Sequence, residues 1–104
     1  MPQFDVYENP NEETRQAVPY LLDIQADLLS PLATRVVVPL FTASAIGKAI
    51  NHLNPMFTIK QHTVFMSTAE LAGIHVRSLG KKVGSLRNQR HEIIAALDFL
   101  FTGF

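Results

Sequence analysis

The stretch that most restricts the fold is residues 35–40, Arg-Val-Val-Val-Pro-Leu. Three successive valines, stiff and branched at Cβ, disfavour a helix and suit a strand covered on both faces. Pro39 has no amide hydrogen, which predicts that the strand ends or meets a sheet edge there. Upstream, residues 20–26 alternate, with Tyr20, Leu22 and Ile24 on one face and Leu21, Asp23 and Gln25 on the other. Ser30-Pro31 is a turn signal, so residues 22–40 read as strand, tight turn and strand. In that arrangement Asp23 faces solvent or accepts hydrogen bonds from turn amides.

The remaining elements follow from period and punctuation. Residues 3–7, where Phe4 and Val6 flank Asp5, form a short strand. Residues 8–16 carry turn formers and charges without an apolar anchor, which predicts an exposed, mobile loop. Ala43, Ala45, Ile46, Ala49, Ile50 and Leu53 recur at helical spacing. They predict a short helix over 42–53, capped by Thr42 or Ser44 and stopped by Asn54-Pro55. Met56, Phe57 and Ile59, then Val64, Phe65 and Met66, flank a polar 60–63 and read as a hairpin. Residues 74–79 alternate as a further strand, and Gly80-Lys81-Lys82 is a turn. Leu86, Ile93, Leu97 and Leu100, extended by Ile94 and Phe101, mark a last helix capped by Ser85 and ending at Thr102-Gly103. Short strands followed by one terminal helix point to a mainly β fold, a small barrel-like antiparallel sheet with a helix packed on it. A length of 104 residues suits one domain over 1–104.

Composition narrows the function. Nine basic residues balance nine acidic ones, so no global field holds a polyanion. Cysteine is absent, which suits a reducing compartment. Met-Pro-Gln-Phe-Asp does not open a signal peptide, and no apolar run approaches the roughly 20 residues of a membrane span. A cytoplasmic protein away from membranes is expected. His52, His62, His75 and His91 are dispersed without partners at metal-ligand spacing, and are read as exposed residues rather than ligands of a metal or cofactor. Asp23, Asp27, Arg35, His75 and Arg77 are available for acid–base chemistry, but their spacing selects no catalytic set. Arg77, Lys81, Lys82, Arg87 and Arg90 make the later chain locally basic; without interleaved aromatics they read as a solvated rim. At the end, Phe101 and Phe104 bracket Thr102-Gly103. Such an apolar tail folds back on the core, is buried in a dimer, or protrudes into a partner.

Gln-Phe-Asp-Val-Tyr at 3–7, Leu-Asp-Ile-Gln-Ala-Asp-Leu-Leu at 22–29, Val38-Pro39-Leu40, Glu92-Ile93, Ala96 and the terminal Thr102-Gly103-Phe104 resemble, in order and spacing, the CcdB family of toxins. The resemblance covers nearly the whole chain. It implies an SH3-like barrel of the CcdB/MazF type: a five-stranded antiparallel sheet, a small additional sheet and a C-terminal helix. It implies a homodimer whose helix ends lie close together, with Leu100, Phe101, Thr102 and Phe104 at the interface. It also implies binding of the DNA gyrase A subunit and trapping of the cleaved-DNA complex, with no catalytic residues and no cofactor. Gyrase contact would fall on Thr102, Gly103 and Phe104, on Glu92, Ala95 and Asp98 along one helix face, and beside them on Gln3, Phe4, Tyr7, Ala26 and Leu28.

The resemblance further implies a CcdA-like antitoxin whose disordered arm folds onto the toxin. Its candidate contacts are Glu8, Asn9, Asn11, Glu12, Thr42, Ala43, Ser44 and Ile46. The joint complex would repress its own operon through DNA contacts made by the antitoxin. Thr102 and Phe104 depart from the Trp and Ile of the best-known members. Two alternatives stand beside gyrase poisoning: a gyrase-inactive homologue that only binds antitoxin, and a MazF-like endoribonuclease using His75, Arg77 and Asp23.

Overall fold

A computed structural model describes residues 2–103. Seven strands, β1 (Asp5–Glu8), β2 (Tyr20–Asp23), β3 (Thr34–Thr42), β4 (Met56–Ile59), β5 (His62–Met66), β6 (Ala72–His75) and β7 (Lys82–Ser85), accompany two helices, α1 (Ala43–Ile46) and α2 (Arg90–Thr102). The strands form a curled, antiparallel half-barrel in the order β4-β5-β3-β2-β1-β7, with β6 also paired to β3. This is the mainly β, SH3-like architecture with a C-terminal helix that the sequence predicts. The expected main and small sheets are one hydrogen-bonded sheet branching at β3. Among the described residues no helix is long and apolar enough to cross a membrane.

The branch explains Pro39. β3 pairs with β2 along one edge, while its other edge pairs with β6 through residues 34–37 and with β5 through residues 40–42. Pro39 lies in the handover between β6 and β5. Its carbonyl faces that edge, where it accepts from the Ser67 amide at 3.0 Å. A residue's N–H and C=O point to the same side of a strand, so the missing donor faces the gap and no ladder bond is lost. Of the two expectations for Pro39, the strand end is overturned, since β3 continues to Thr42, while the edge position holds locally in the gap between β6 and β5.

One face of the sheet carries Val6, Tyr20, Leu22, Val38, Leu40, Phe57, Ile59, Val64 and Met66, and Ile93 and Ala96 of α2 pack into it. The other face is exposed at Met56, Thr58 and Thr63 of its β4–β5 end but covered at its middle. Asp23 and Arg35 are fully buried there, and Asp5, Tyr7 and Gln25 nearly so. Arg35 Nε and Nη2 each reach Asp23 Oδ2 at 2.8 Å, while Asp23 Oδ1 accepts the Gln25 amide at 3.0 Å. Of the two roles expected for Asp23, solvent exposure is overturned and the turn-amide acceptor stands. Burial pushes the Asp23 carboxyl above its ordinary pKa, against the Gln25 and Arg35 hydrogen bonds that lower it. Burial likewise raises the Tyr7 phenol, helped by the neighbouring Asp5 and Asp23 carboxylates.

Three boundaries move for identifiable reasons. The helix expected over 42–53 shrinks to Ala43–Ile46: Thr42 Oγ1 caps it at Ala45 N, and Gly47, at φ 69°, ends it. None of its residues is buried, so no packing extends so short a helix. The strand expected over 74–79 stops at His75, whose Nδ1 accepts the Arg77 amide at 3.1 Å and opens a 3₁₀ turn. Residues 82–85 are a strand instead of turn and helix start, because they pair with β1. Ser85 Oγ accepts the Arg87 amide in a 3₁₀ turn, and α2 begins only at Arg90. The predicted 56–67 hairpin is present, closed by Lys60 and Gln61 at φ 48° and 70°, the doubly positive turn that suits strand twist.

Arg35→Ala is expected to lower unfolding free energy by about 3–5 kcal/mol, since it strands a buried carboxylate. Asp23→Leu with Arg35→Met is expected to regain most of this, leaving roughly 1–3 kcal/mol for the orphaned Gln25 amide; urea titrations read both. A Cβ on Gly80 would meet the Glu8 carbonyl oxygen at 2.5 Å, whereas one on Gly84 meets nothing within 4 Å. Gly80→Ala is accordingly expected to cost about 1–3 kcal/mol in the same titration, with Gly84→Ala the milder control.

Candidate partner-binding site

α2 presents a polar stripe because its core-facing positions, Ile93 and Ala96, turn the opposite side outward. Glu92, Ala95, Asp98 and Thr102 are all exposed and fall within an arc of about 120° at 3.6 residues per turn. Thr102 Oγ1 donates to the Asp98 carbonyl at 2.6 Å, so the hydroxyl is engaged within the helix and its methyl remains for a partner. Gly103, at φ 80° and ψ 16°, terminates the helix in the left-handed region, its amide bonded to the Phe99 carbonyl at 2.9 Å. Leu100 is half-buried and Phe101 is 71% exposed. Phe104, named for both gyrase contact and dimerisation, lies outside the described residues.

The second group of predicted contacts gathers at the N-terminal end of α2. Gln3 ties three segments: its amide donates to Asp27 Oδ1 at 2.6 Å, Nε2 to the Ile24 carbonyl at 3.0 Å, and Oε1 accepts from Arg90 at 3.4 Å. Arg90 also lies over the Phe4 ring, 5.7 Å from its centroid. Ala26 is exposed, and Leu28, on the 3₁₀ turn after it, is 90% exposed. Phe4 and Tyr7 are buried at 3% and 7%, so neither offers the exposed area that a direct contact needs. The tip at Thr102–Gly103 lies at the opposite end of α2, about 18 Å away at 1.5 Å per residue, with Glu92, Ala95 and Asp98 between. The contacts thus form a strip along α2 rather than one compact patch.

The candidate antitoxin residues lie elsewhere. Glu8, Asn11 and Glu12 are exposed, but Asn9 is buried and organises its loop. Asn9 Nδ2 donates to Thr14 Oγ1 and the Val18 carbonyl, and its Oδ1 accepts the Asn11 amide. Glu8 and Asn9 line a groove of about 370 Å³, and Thr42 lines another of about 410 Å³. Arg15 and Pro19 line both, so the two grooves adjoin as a divided depression. Ala43 and Ser44 are exposed and Ile46 half-buried on the adjoining α1. In the depression the Tyr20 hydroxyl meets His62 Nδ1 at 3.1 Å; burial, then the Glu8 charge, raise the Tyr20 phenol.

The nuclease set does not converge. Asp23 is sealed against Arg35, and on β3 it lies opposite Val37 while His75 lies opposite Thr34. That is about 10 Å along the strand, on opposite edges of β3. All four histidines are exposed, and among the described residues no three His, Asp or Glu side chains gather as a metal site. Sequence reasoning passed over Arg15, read Arg90 only as part of a solvated rim, and missed a groove beside α2 lined by Ile50, His52, Asn54 and Met56. The apolar spacing of Ile50 and Met56 reads as core; only their sparse tertiary cover reveals a surface. The family model described as CcdB protein matches residues 3–103. With that match over nearly the full length, on a curled antiparallel half-barrel closed by a C-terminal helix, the chain belongs to the CcdB family, the toxins of toxin–antitoxin systems that target DNA gyrase.

Proposed function

We propose that a homodimer of this protein binds the A subunit of DNA gyrase in the cytoplasm and traps the cleaved-DNA complex. The observation that carries this reading is the exposed strip of Glu92, Ala95, Asp98 and Thr102 leading into the left-handed Gly103, on a chain matched to the family over residues 3–103. The toxin does no covalent chemistry: it holds a conformation in which gyrase cannot religate. Gly103 lets the backbone come close to a partner, and Ala26 and Leu28 add apolar area at the other end of the strip. Two copies related by a two-fold axis would grip a two-fold partner with an avidity neither has alone.

A CcdA-like antitoxin lies in the depression shared by Glu8, Asn9, Arg15 and Thr42, and reverses the poisoning. Operon repression belongs to the joint complex, with DNA bound by the antitoxin, in keeping with the formal neutrality of this chain. The inward-turned Thr102 hydroxyl favours a second reading, a homologue that binds antitoxin but poisons gyrase weakly or not at all.

The test is supercoiled plasmid, gyrase, ATP and purified toxin, stopped with detergent and protease. Linear DNA is expected to rise with toxin and to vanish on deletion of residues 102–104. No linear DNA with gyrases from several hosts, despite a folded dimer, leaves the antitoxin-binding homologue. Thr102→Trp is expected to raise potency roughly two- to thirty-fold, the range of about 0.5–2 kcal/mol for an indole on a cation, read as the toxin concentration giving half-maximal cleavage.

A further inference from the structure

Beside α2 lies an open groove of about 520 Å³, separate from the antitoxin depression and from the pocket at Gln3 and Arg90. Glu92 and Ala95 of the exposed strip form one wall, and Ile50, His52 and Met56 the other. Ile50 and Met56 leave 55% and 57% of their surface in water. One exposed aliphatic side chain is ordinary; two lining the same groove, with Ala95 facing them, make an apolar seat. The volume is that of a ligand or side-chain pocket.

The seat is held in place rather than formed on demand. Asn54 Oδ1 accepts the Ile50 amide at 2.9 Å, and its Nδ2 donates to the Met66 carbonyl at 3.0 Å. The fully buried Thr68 hydroxyl donates to the Leu53 carbonyl. His52, at φ 69°, sets its ring 6.2 Å from that of Phe99 on α2. A preorganised surface loses little conformational entropy on binding. Glu92 is the one acidic or basic residue other than His52 in the lining, and among the described residues no cation pairs with it.

From this charge and shape we propose that the groove extends the gyrase-facing strip and takes an amphipathic segment of the gyrase A subunit. An apolar side chain of that segment sits between Ile50, Met56 and Ala95, and a neighbouring Lys or Arg meets Glu92. The assignment rests on the gyrase reading and is continuous with it, since Glu92 and Ala95 belong to both surfaces.

The test is the affinity of the toxin for immobilised gyrase A subunit. Ile50→Ser with Met56→Ser is the deciding variant, because neither residue belongs to the strip itself; Glu92→Lys tests the charge. Each is expected to weaken binding about ten-fold, with the unfolding midpoint and dimeric state unchanged. Unaltered affinity of the serine variant, against a wild type that binds, overturns the groove while leaving gyrase poisoning intact. Dissociation of the dimer assigns the groove to a second copy, and loss confined to antitoxin binding assigns it to the antitoxin; either overturns the proposal. A wild type that fails to bind gyrase removes the underlying reading and this one with it.

Discussion

The buried pair of Arg35 and Asp23 organises the molecule from its second sheet face. Desolvating two charges is costly, and a pair so placed persists only when further hydrogen bonds complete it. Here those bonds radiate outward. Asp23 takes the Gln25 amide, and Arg35 Nη2 reaches the Gln25 carbonyl at 3.4 Å. Gln25 then donates from Nε2 to the Leu29 carbonyl and accepts the Val36 amide at Oε1. The turn that displays Ala26 and Leu28 is thus fixed by a charge pair beneath it. Gln3 completes the fastening from the other side, through Ile24 and Asp27. Leu28, though 90% exposed, sits on a turn held through its neighbour, because the nearly buried Gln25 donates to the Leu29 carbonyl.

The second organising feature is the handover along β3. A nine-residue strand serves β2 through residues 37–40 on one edge and two different strands on the other. That branching curls the sheet and brings the β4–β5 hairpin towards the 8–19 loop, so the depression lined by Arg15 and His62 forms between segments some 40 residues apart. It also leaves the concave side open for α2, whose Ile93 and Ala96 fill it. Burying one side of α2 is what exposes the other. The polar strip and the groove beside it are the outer consequence of core packing.

These surfaces divide the work spatially. The α2 strip, the groove at Ile50 and Met56, and the Leu28 turn lie along α2, while the depression at Glu8, Arg15 and Thr42 shares no lining residue with them. In the proposed function, separate surfaces would let an antitoxin engage the toxin at one place while another remains in contact with gyrase.

Much of this was legible in the chain. The three valines, the 56–67 hairpin, the Gly103 stop and the outward line of Glu92, Ala95 and Asp98 follow from local sterics and helical or strand period, which act over a few residues. Other features were not legible. Pro39 reads as a strand end because a sequence does not show which edge of a strand lies in a gap between partners. Ser85 reads as a helix cap because the pairing of residues 82–85 with β1 is a contact across some 80 residues. Asp23 reads as surface because its partner, Arg35, is 12 residues away on a neighbouring strand. The sequence by itself determined the mainly β class with its terminal helix, the family and the helix face turned to solvent, since these depend on local conformational preference and residue order. Only the tertiary structure decided which polar groups are buried, where β3 changes partners and which apolar residues stay uncovered, since burial depends on what packs against a residue from elsewhere in the chain.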